Sequence, residues 1–124
     1  MNLNQITIPV LNLERSIAFY NSLGLKLIVK ALPDYARFHC PEGNSTFSLH
    51  RVETMQKGEG VWIYFEVEDV DEHIAEISSK EIVIDELPND KPWLWREARL
   101  KDPDHHQIII YFAGENRINP PWKL

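Results

Sequence analysis

The sequence predicts an α+β fold: two tandem βαβββ modules forming a cupped mixed sheet with helices on its outer face. Three observations carry that expectation. The first is the stretch Trp62 to Ile77, W-I-Y-F-E-V-E-D-V-D-E-H-I-A-E-I. Ile63, Phe65 and Val67 alternate with Trp62, Tyr64 and Glu66, the period of two that marks a strand with unlike faces. At Asp69 the rhythm changes, and Val70, Ile74 and Ile77 recur as one stripe of an amphipathic helix. Asp69 with Glu72 makes a capping-box-like start, its side-chain oxygen accepting first-turn N–H groups that have no helical partner. The second observation is that this unit recurs 57 residues earlier, from Gln5 to Tyr20. Ile6 falls on Ile63, Val10 on Val67, Asn12 on Asp69, Leu13 on Val70, Ile17 on Ile74 and Ala18 on Ala75. The same change of period at the same place points to a tandem duplication.

The third observation is strand parity. Ile6, Ile8 and Val10, Phe47 and Leu49, Ile63, Phe65 and Val67, Ala98 and Leu100, and Ile108, Ile110 and Phe112 form one apolar set. That set must cover the helices. The opposite set mixes polar, charged and aromatic groups: Gln5, Thr7, Ser48, His50, Trp62, Tyr64, Glu66, Glu97, Arg99, Ile109 and Tyr111. Two four-stranded sheets with helices on one side would turn this second set toward a concave surface. Polar groups converging among aromatics are what a small-molecule pocket needs.

In chain order, Gly24 stops the first helix, and Leu25 to Ala31 reads as a strand. Pro33-Asp34 signals a turn, Tyr35 to Cys40 a short strand, Pro41 to Asn44 another turn, and Ser45 to Val52 a strand. Module one is about 1–53. Glu53 to Gly60, polar with two glycines, is a linker. Module two, about 60–114, repeats the order. After its helix, Lys80 to Asp85 reads as a strand, Leu87 to Pro92 as a loop, Leu94 to Lys101 as a strand, Asp102 to His105 as a tight turn and Gln107 to Ala113 as the last strand. The tail 115–124, with Pro120-Pro121-Trp122, reads as an extended segment anchored by one indole. The whole, 1–124, is expected to be one domain.

Composition narrows the function. With 124 residues, 44% hydrophobic and 26% charged, the chain is long enough to bury roughly two-thirds of its unfolded surface. No apolar run approaches the ~20 residues of a membrane span, and the start M-N-L-N-Q-I-T has no signal pattern, so no membrane partner and a cytoplasmic location are expected. The single cysteine, Cys40, has no partner for a disulfide and no metal-ligand spacing. A net charge of −6 argues against nucleic acid, whose phosphates call for a basic footprint.

The repeated modules, the segments Ser16 to Leu25 (S-I-A-F-Y-N-S-L-G-L) and Lys101 to Ile108 (K-D-P-D-H-H-Q-I) resemble the vicinal-oxygen-chelate superfamily, the glyoxalase, bleomycin-resistance and extradiol-dioxygenase group. Pro92 to Lys101 (P-W-L-W-R-E-A-R-L-K) with Asp102-Pro103 is similar to the bleomycin-resistance proteins in particular. The resemblance implies paired modules forming the cup and a homodimer. It also implies a divalent metal held by four cup-facing side chains. Those positions fall here on Gln5, on Ser48 or His50, on Trp62 and on Ile109. An indole N–H only donates and an isoleucine has no lone pair, so two of the four cannot ligate. No cofactor is therefore expected; a metal is conceivable only through a non-standard set of His50, Glu66 and Glu97.

The remaining candidates have bland counterparts. Arg99 could grip an anionic group bidentately or pair with Glu97 on its own strand face. Trp62, Tyr64 and Tyr111 could stack on a planar ligand or fill the cup as core. His105 and His106 read as turn residues, and the acidic run Glu66 to Glu72 as charges shared between a strand end and a helix N-terminus. The ligand-binding set is then Gln5, Thr7, His50, Trp62, Tyr64, Glu66, Glu97, Arg99 and Tyr111, with no catalytic residue assigned. The leading reading is a binding protein for a small organic molecule, in the cup or at a dimer groove. The alternative is a metal-dependent lyase, isomerase or dioxygenase with the non-standard set.

Overall fold

The computed structural model describes residues 1–124. Its elements are β1 (Gln5–Val10), α1 (Leu13–Ser22), β2 (Lys26–Ala31), β3 (Tyr35–His39), β4 (Thr46–Arg51), β5 (Trp62–Glu66), α2 (Val70–Ser78), β6 (Glu86–Asp90), β7 (Arg96–Lys101) and β8 (Gln107–Phe112). This is the α+β fold of two βαβββ modules. The first sheet has strand order β1-β4-β3-β2 and the second β5-β8-β7-β6, the same topology twice. In each, the first and last strands of the module pair in parallel and the other pairs are antiparallel.

The chain divides into two compact units, Met1–Glu59 with Asp102–Asp104, and Gly60–Lys101 with His105–Leu124. In the first, the Asn12 side chain caps α1 by accepting from Arg15 N at 3.0 Å. The buried face of α1 carries Leu13, Ser16, Ile17 and Tyr20. The Tyr20 ring packs 4.8 Å from Phe47 and 6.1 Å from Phe38. Its hydroxyl donates to Asp102 Oδ2 at 2.7 Å, which satisfies a buried O–H in an otherwise apolar layer. Asp104 accepts from Arg15 Nη2 at 2.8 Å and Leu11 N at 3.3 Å. The turn after β7 is thus built into the first unit by two carboxylates.

In the second unit, Asp69 accepts from Glu72 N at 3.0 Å, as its position before the helical stripe requires. Val70, Ile74 and Ile77 are buried, each worth about 1.5–3 kcal/mol of apolar transfer. Outside the helix, Arg96 holds Asp71 through two hydrogen bonds of 2.7 and 2.9 Å. That pairing keeps the Asp71 carboxyl below its ordinary range.

Three local expectations are corrected. Lys80 to Asp85 is not a strand. The chain leaves α2 through turns closed by Lys80 N to Ile77 O and Glu81 N to Ser78 O, and Glu81 lies at φ +64°, which no strand accommodates. The edge strand is Glu86–Asp90, within the stretch expected to be a loop. Its Pro88 sits where the register with β7 slips, between Glu86 and Asn89, so the missing N–H costs no ladder bond. β7 begins at Arg96, not Leu94, because Leu94 at φ +68° closes a turn with Lys91. The tail starts as a 3-10 turn at Gly114–Arg117 and is not extended there, and Trp122 is 56% exposed. Within the apolar set, Ile6 and Phe112 lie at strand ends and are exposed.

Candidate functional site

Each sheet has a face turned away from its own helix, and the candidate residues divide between the two. On the second sheet the register sets Trp62, Gln107 and Lys101 in one row, Tyr64, Ile109 and Arg99 in the next, and Glu66, Tyr111 and Glu97 in the third. Upstream of β7, on either side of the turn at Leu94, Trp95 stacks on Tyr111 and Trp93 reaches Glu97.

Glu97 anchors this face. It is fully buried, and its two oxygens accept from Trp93 Nε1 at 2.9 Å and Arg99 Nη2 at 3.3 Å. A charge can be held at that depth only because both oxygens are partnered. Arg99 lies over the Trp62 ring, 5.2 Å from its centroid, with Nε 3.6 Å from Glu86 Oε2. Nε is nonetheless buried without a hydrogen bond, since that distance and alignment give only ion-pair attraction. Glu86 is shared with Lys91 and with Asn89, whose amide donates at 2.8 Å. Two carboxylates and two cations therefore balance, leaving a neutral cluster under exposed indoles.

The aromatics take two roles. Tyr111 is buried and stacks on Trp95 at 4.8 Å and 27°. Tyr64 meets both edge-on, at 5.4 Å from Tyr111 and 5.9 Å from Trp95. Tyr111 is thus a wall, and burial followed by the Glu66 charge raises its phenol pKa. Trp62, Tyr64 and Trp93 remain 45%, 40% and 41% exposed, available to a ligand. Burial, then Glu97, raises the Tyr64 phenol too, so it stays a neutral hydroxyl near pH 7. Glu66 is occupied elsewhere: its Oε2 accepts from Ala113 N at 2.8 Å and Gly114 N at 3.1 Å, fixing the turn after β8.

On the first sheet, Gln5, Thr7 and His50 share the open face with Ser48, Tyr35 and Arg37. Gln5 Nε2 donates to Ser48 Oγ at 2.8 Å and Thr7 Oγ1 at 3.2 Å, and Thr46 donates to Gln5 Oε1. His50 is exposed. Tyr35, Arg37, Trp93 and Trp95 were not among the expected site residues. Trp95 lies two residues upstream of Glu97 and Trp93 four, but both precede β7 and the turn at Leu94 separates them, so strand parity alone does not reach both. Carried across from Ser48 and His50, it would have found the other two.

The family's metal does not fit these residues. Trp62 and Ile109 offer no lone pair, Gln5 spends its amide on Thr46 and Ser48, and Glu66 and Glu97 are committed to backbone N–H, indole and guanidinium groups. No three His, Cys, Asp or Glu side chains converge as ligands. No helix is long and apolar enough to cross a membrane.

Comparison with known proteins agrees with this architecture. The protein YraH of Bacillus subtilis (strain 168), described as uncharacterized, is 33% identical over 127 residues, spanning 90% of this chain and 98% of its own. A glyoxalase/bleomycin resistance protein/dioxygenase family enzyme from Burkholderia phytofirmans PsJN shares the fold at TM-score 0.76 and 18% identity, covering 91% of this chain and 99% of that one. Lactoylglutathione lyase from Agrobacterium tumefaciens does so at TM-score 0.75 and 17% identity, covering 91% and 94%. TioX from Micromonospora sp. ML1 gives 0.73 and 18%, covering 91% and 99%. Residues 2–110 match the family described as the Glyoxalase/Bleomycin resistance protein/Dioxygenase superfamily, and the chain belongs to it.

Proposed function

We propose that this chain is a metal-independent binding protein that takes a small planar organic molecule on the open face of its second sheet. One observation carries the reading: exposed indoles, Trp62 and Trp93, flank a guanidinium already oriented by Glu97, Glu86 and the Trp62 ring. Ordering Arg99 in advance removes the side-chain entropy that a ligand would otherwise lose on its behalf. Of its five N–H donors, only the one to Glu97 makes a hydrogen bond, so the guanidinium retains donors for an acceptor. Glu97, by contrast, has both oxygens taken and offers little to a cation. The favoured ligand is an aromatic ring bearing a carboxylate or carbonyl, stacked on indole and hydrogen-bonded to Arg99.

The test is thermal unfolding with benzoate, indole-3-acetate and, as cationic control, benzylamine. The carboxylates should raise the melting temperature through selective binding to the folded chain. Arg99→Gln should abolish the rise. Stabilisation by benzylamine alone would overturn the assignment and move recognition to the carboxylates of the cluster. A homodimer belongs to the same reading. Ile28, Val29 and Leu32 on and beside edge strand β2 are exposed, as is Trp122, and a second copy is the occupant that the module's uncovered edge invites.

A further inference from the structure

The open face of the first sheet holds a hydrogen-bond chain whose donors outnumber its acceptors. Gln5 Nε2 donates to Ser48 Oγ at 2.8 Å, Ser48 Oγ lies 2.8 Å from Tyr35 Oη, and Arg37 Nε donates to Tyr35 Oη at 2.9 Å. The amide orientation is fixed independently, because Gln5 Nε2 also donates to Ile6 O at 3.1 Å and Oε1 accepts from Thr46. Both ends of the chain therefore donate inward. The two hydroxyls between them carry two protons, and only one can lie on the line joining the oxygens. If Tyr35 donates to Ser48, the serine proton is left over; if Ser48 donates, the tyrosine proton is. Either way one O–H points out of the chain and calls for an acceptor.

No acid shares the paired rows around that donor, and one arginine does. Three rows of side chains share this face: Gln5, Thr46 and His39; Thr7, Ser48 and Arg37; and Pro9, His50 and Tyr35. None of the nine is a carboxylate, in a chain where acids outnumber Lys and Arg by 19 to 13. Arg37 uses Nε on Tyr35 and lies 5.4 Å from that ring's centroid. Its outer edge of two N–H₂ groups keeps the fork geometry that fits two oxygens of one anion. The Tyr35 phenol pKa is lowered by the Ser48 hydrogen bond and by Arg37, as expected where donors outnumber acceptors.

We infer that this face is a binding site for a small oxyanion, a phosphate or carboxylate group, held by the Arg37 guanidinium and the surplus hydroxyl of the Ser48–Tyr35 pair. It lies on the first sheet, whereas the aromatic face lies on the second. The anion supplies the acceptor that the chain of Gln5, Ser48, Tyr35 and Arg37 lacks, and His50 and His39 flank it without opposing charge.

The experiment is isothermal titration calorimetry of the full chain with inorganic phosphate and, separately, acetate, at fixed ionic strength. One saturable site is expected, and the stronger of the two probes tells a tetrahedral from a planar oxyanion. Arg37→Gln should weaken it tenfold or more. A Tyr35→Phe/Ser48→Ala double variant, which removes both hydroxyls and keeps the arginine, should weaken it several-fold. Phosphate should also raise the phenol titration midpoint of Tyr35, read as the ultraviolet difference between the natural chain and Tyr35→Phe. Arg99→Gln, which tests the aromatic face, should leave phosphate binding in place. No saturable binding, or binding that survives Arg37→Gln undiminished or is lost in Arg99→Gln instead, overturns the inference.

Discussion

Replacing Glu97 by glutamine should destabilise the protein while tightening its hold on an aromatic carboxylate. The buried carboxylate now accepts from Trp93 Nε1 at 2.9 Å and Arg99 Nη2 at 3.3 Å. A glutamine can satisfy only one of these, since its amide nitrogen must face the other donor. Losing a charged hydrogen bond costs about 1.5–3 kcal/mol, and the 23% exposure of the Arg99 side chain argues for the lower half, about 2 kcal/mol. For a chain of this length that is a fall of roughly 6–12 °C in melting temperature. The same change removes a negative charge near the carboxylate that Arg99 would bind. At a separation of about 6 Å and an effective dielectric between about 20 and 80, the relieved repulsion is about 0.7–2.8 kcal/mol. With the glutamine oxygen turned to Arg99, which keeps the guanidinium oriented, benzoate affinity should rise about tenfold. Urea denaturation gives the first number and calorimetric titration the second. A destabilised variant that binds benzoate no better than the natural chain would refute the placement of the ligand beside Arg99.

Three further outcomes are expected. Titration of metal-free protein with nickel, zinc and manganese should show no saturable site at micromolar concentration, and His50→Ala should change nothing; stoichiometric metal, lost when His50→Ala is combined with Glu66→Ala or Glu97→Ala, would restore the enzyme reading. Sedimentation equilibrium at micromolar concentration should show a species twice the 14.5 kDa chain, and a purely monomeric sample would exclude the dimer. The Asp71 carboxyl is lowered by Arg96 and that of Glu86 by Lys91 and Asn89, so each stabilises the fold above its unfolded pKa. That contribution is lost as pH falls through the lowered values. The urea midpoint should therefore decline below about pH 4, less steeply in Asp71→Asn.

The modules, both helices and their caps were legible because each rests on a local rule. A period of two gives way to a helical stripe at Asn12 and Asp69, and no long-range contact is needed to see it. β6 was not legible, because Ile82, Val83 and Ile84 have a strand's composition while Glu-Leu-Pro-Asn-Asp has a loop's. Only pairing with β7, which places Pro88 in a bulge, makes the second a strand. The candidate site was half legible. Parity finds Glu97 and Arg99, and their mutual ion pair is one of the two alternatives the sequence leaves open. That Tyr111 would be covered by Trp95 depends on the turn at Leu94, which alternation along β7 does not encode.

Asp102–Asp104 belongs to the first unit although the sequence on either side of it belongs to the second. The polypeptide therefore passes between the units three times: once at the linker, once entering this turn and once leaving it. An ancestral module could have stood alone with its own turn residues. The present first half cannot, since residues 1–59 taken by themselves would leave the buried Tyr20 hydroxyl without its acceptor and Arg15 without its carboxylate. The first copy thus relies on a turn that the second half of the chain encodes. The first copy is therefore no self-contained cassette, however clearly the sequence still displays the seam.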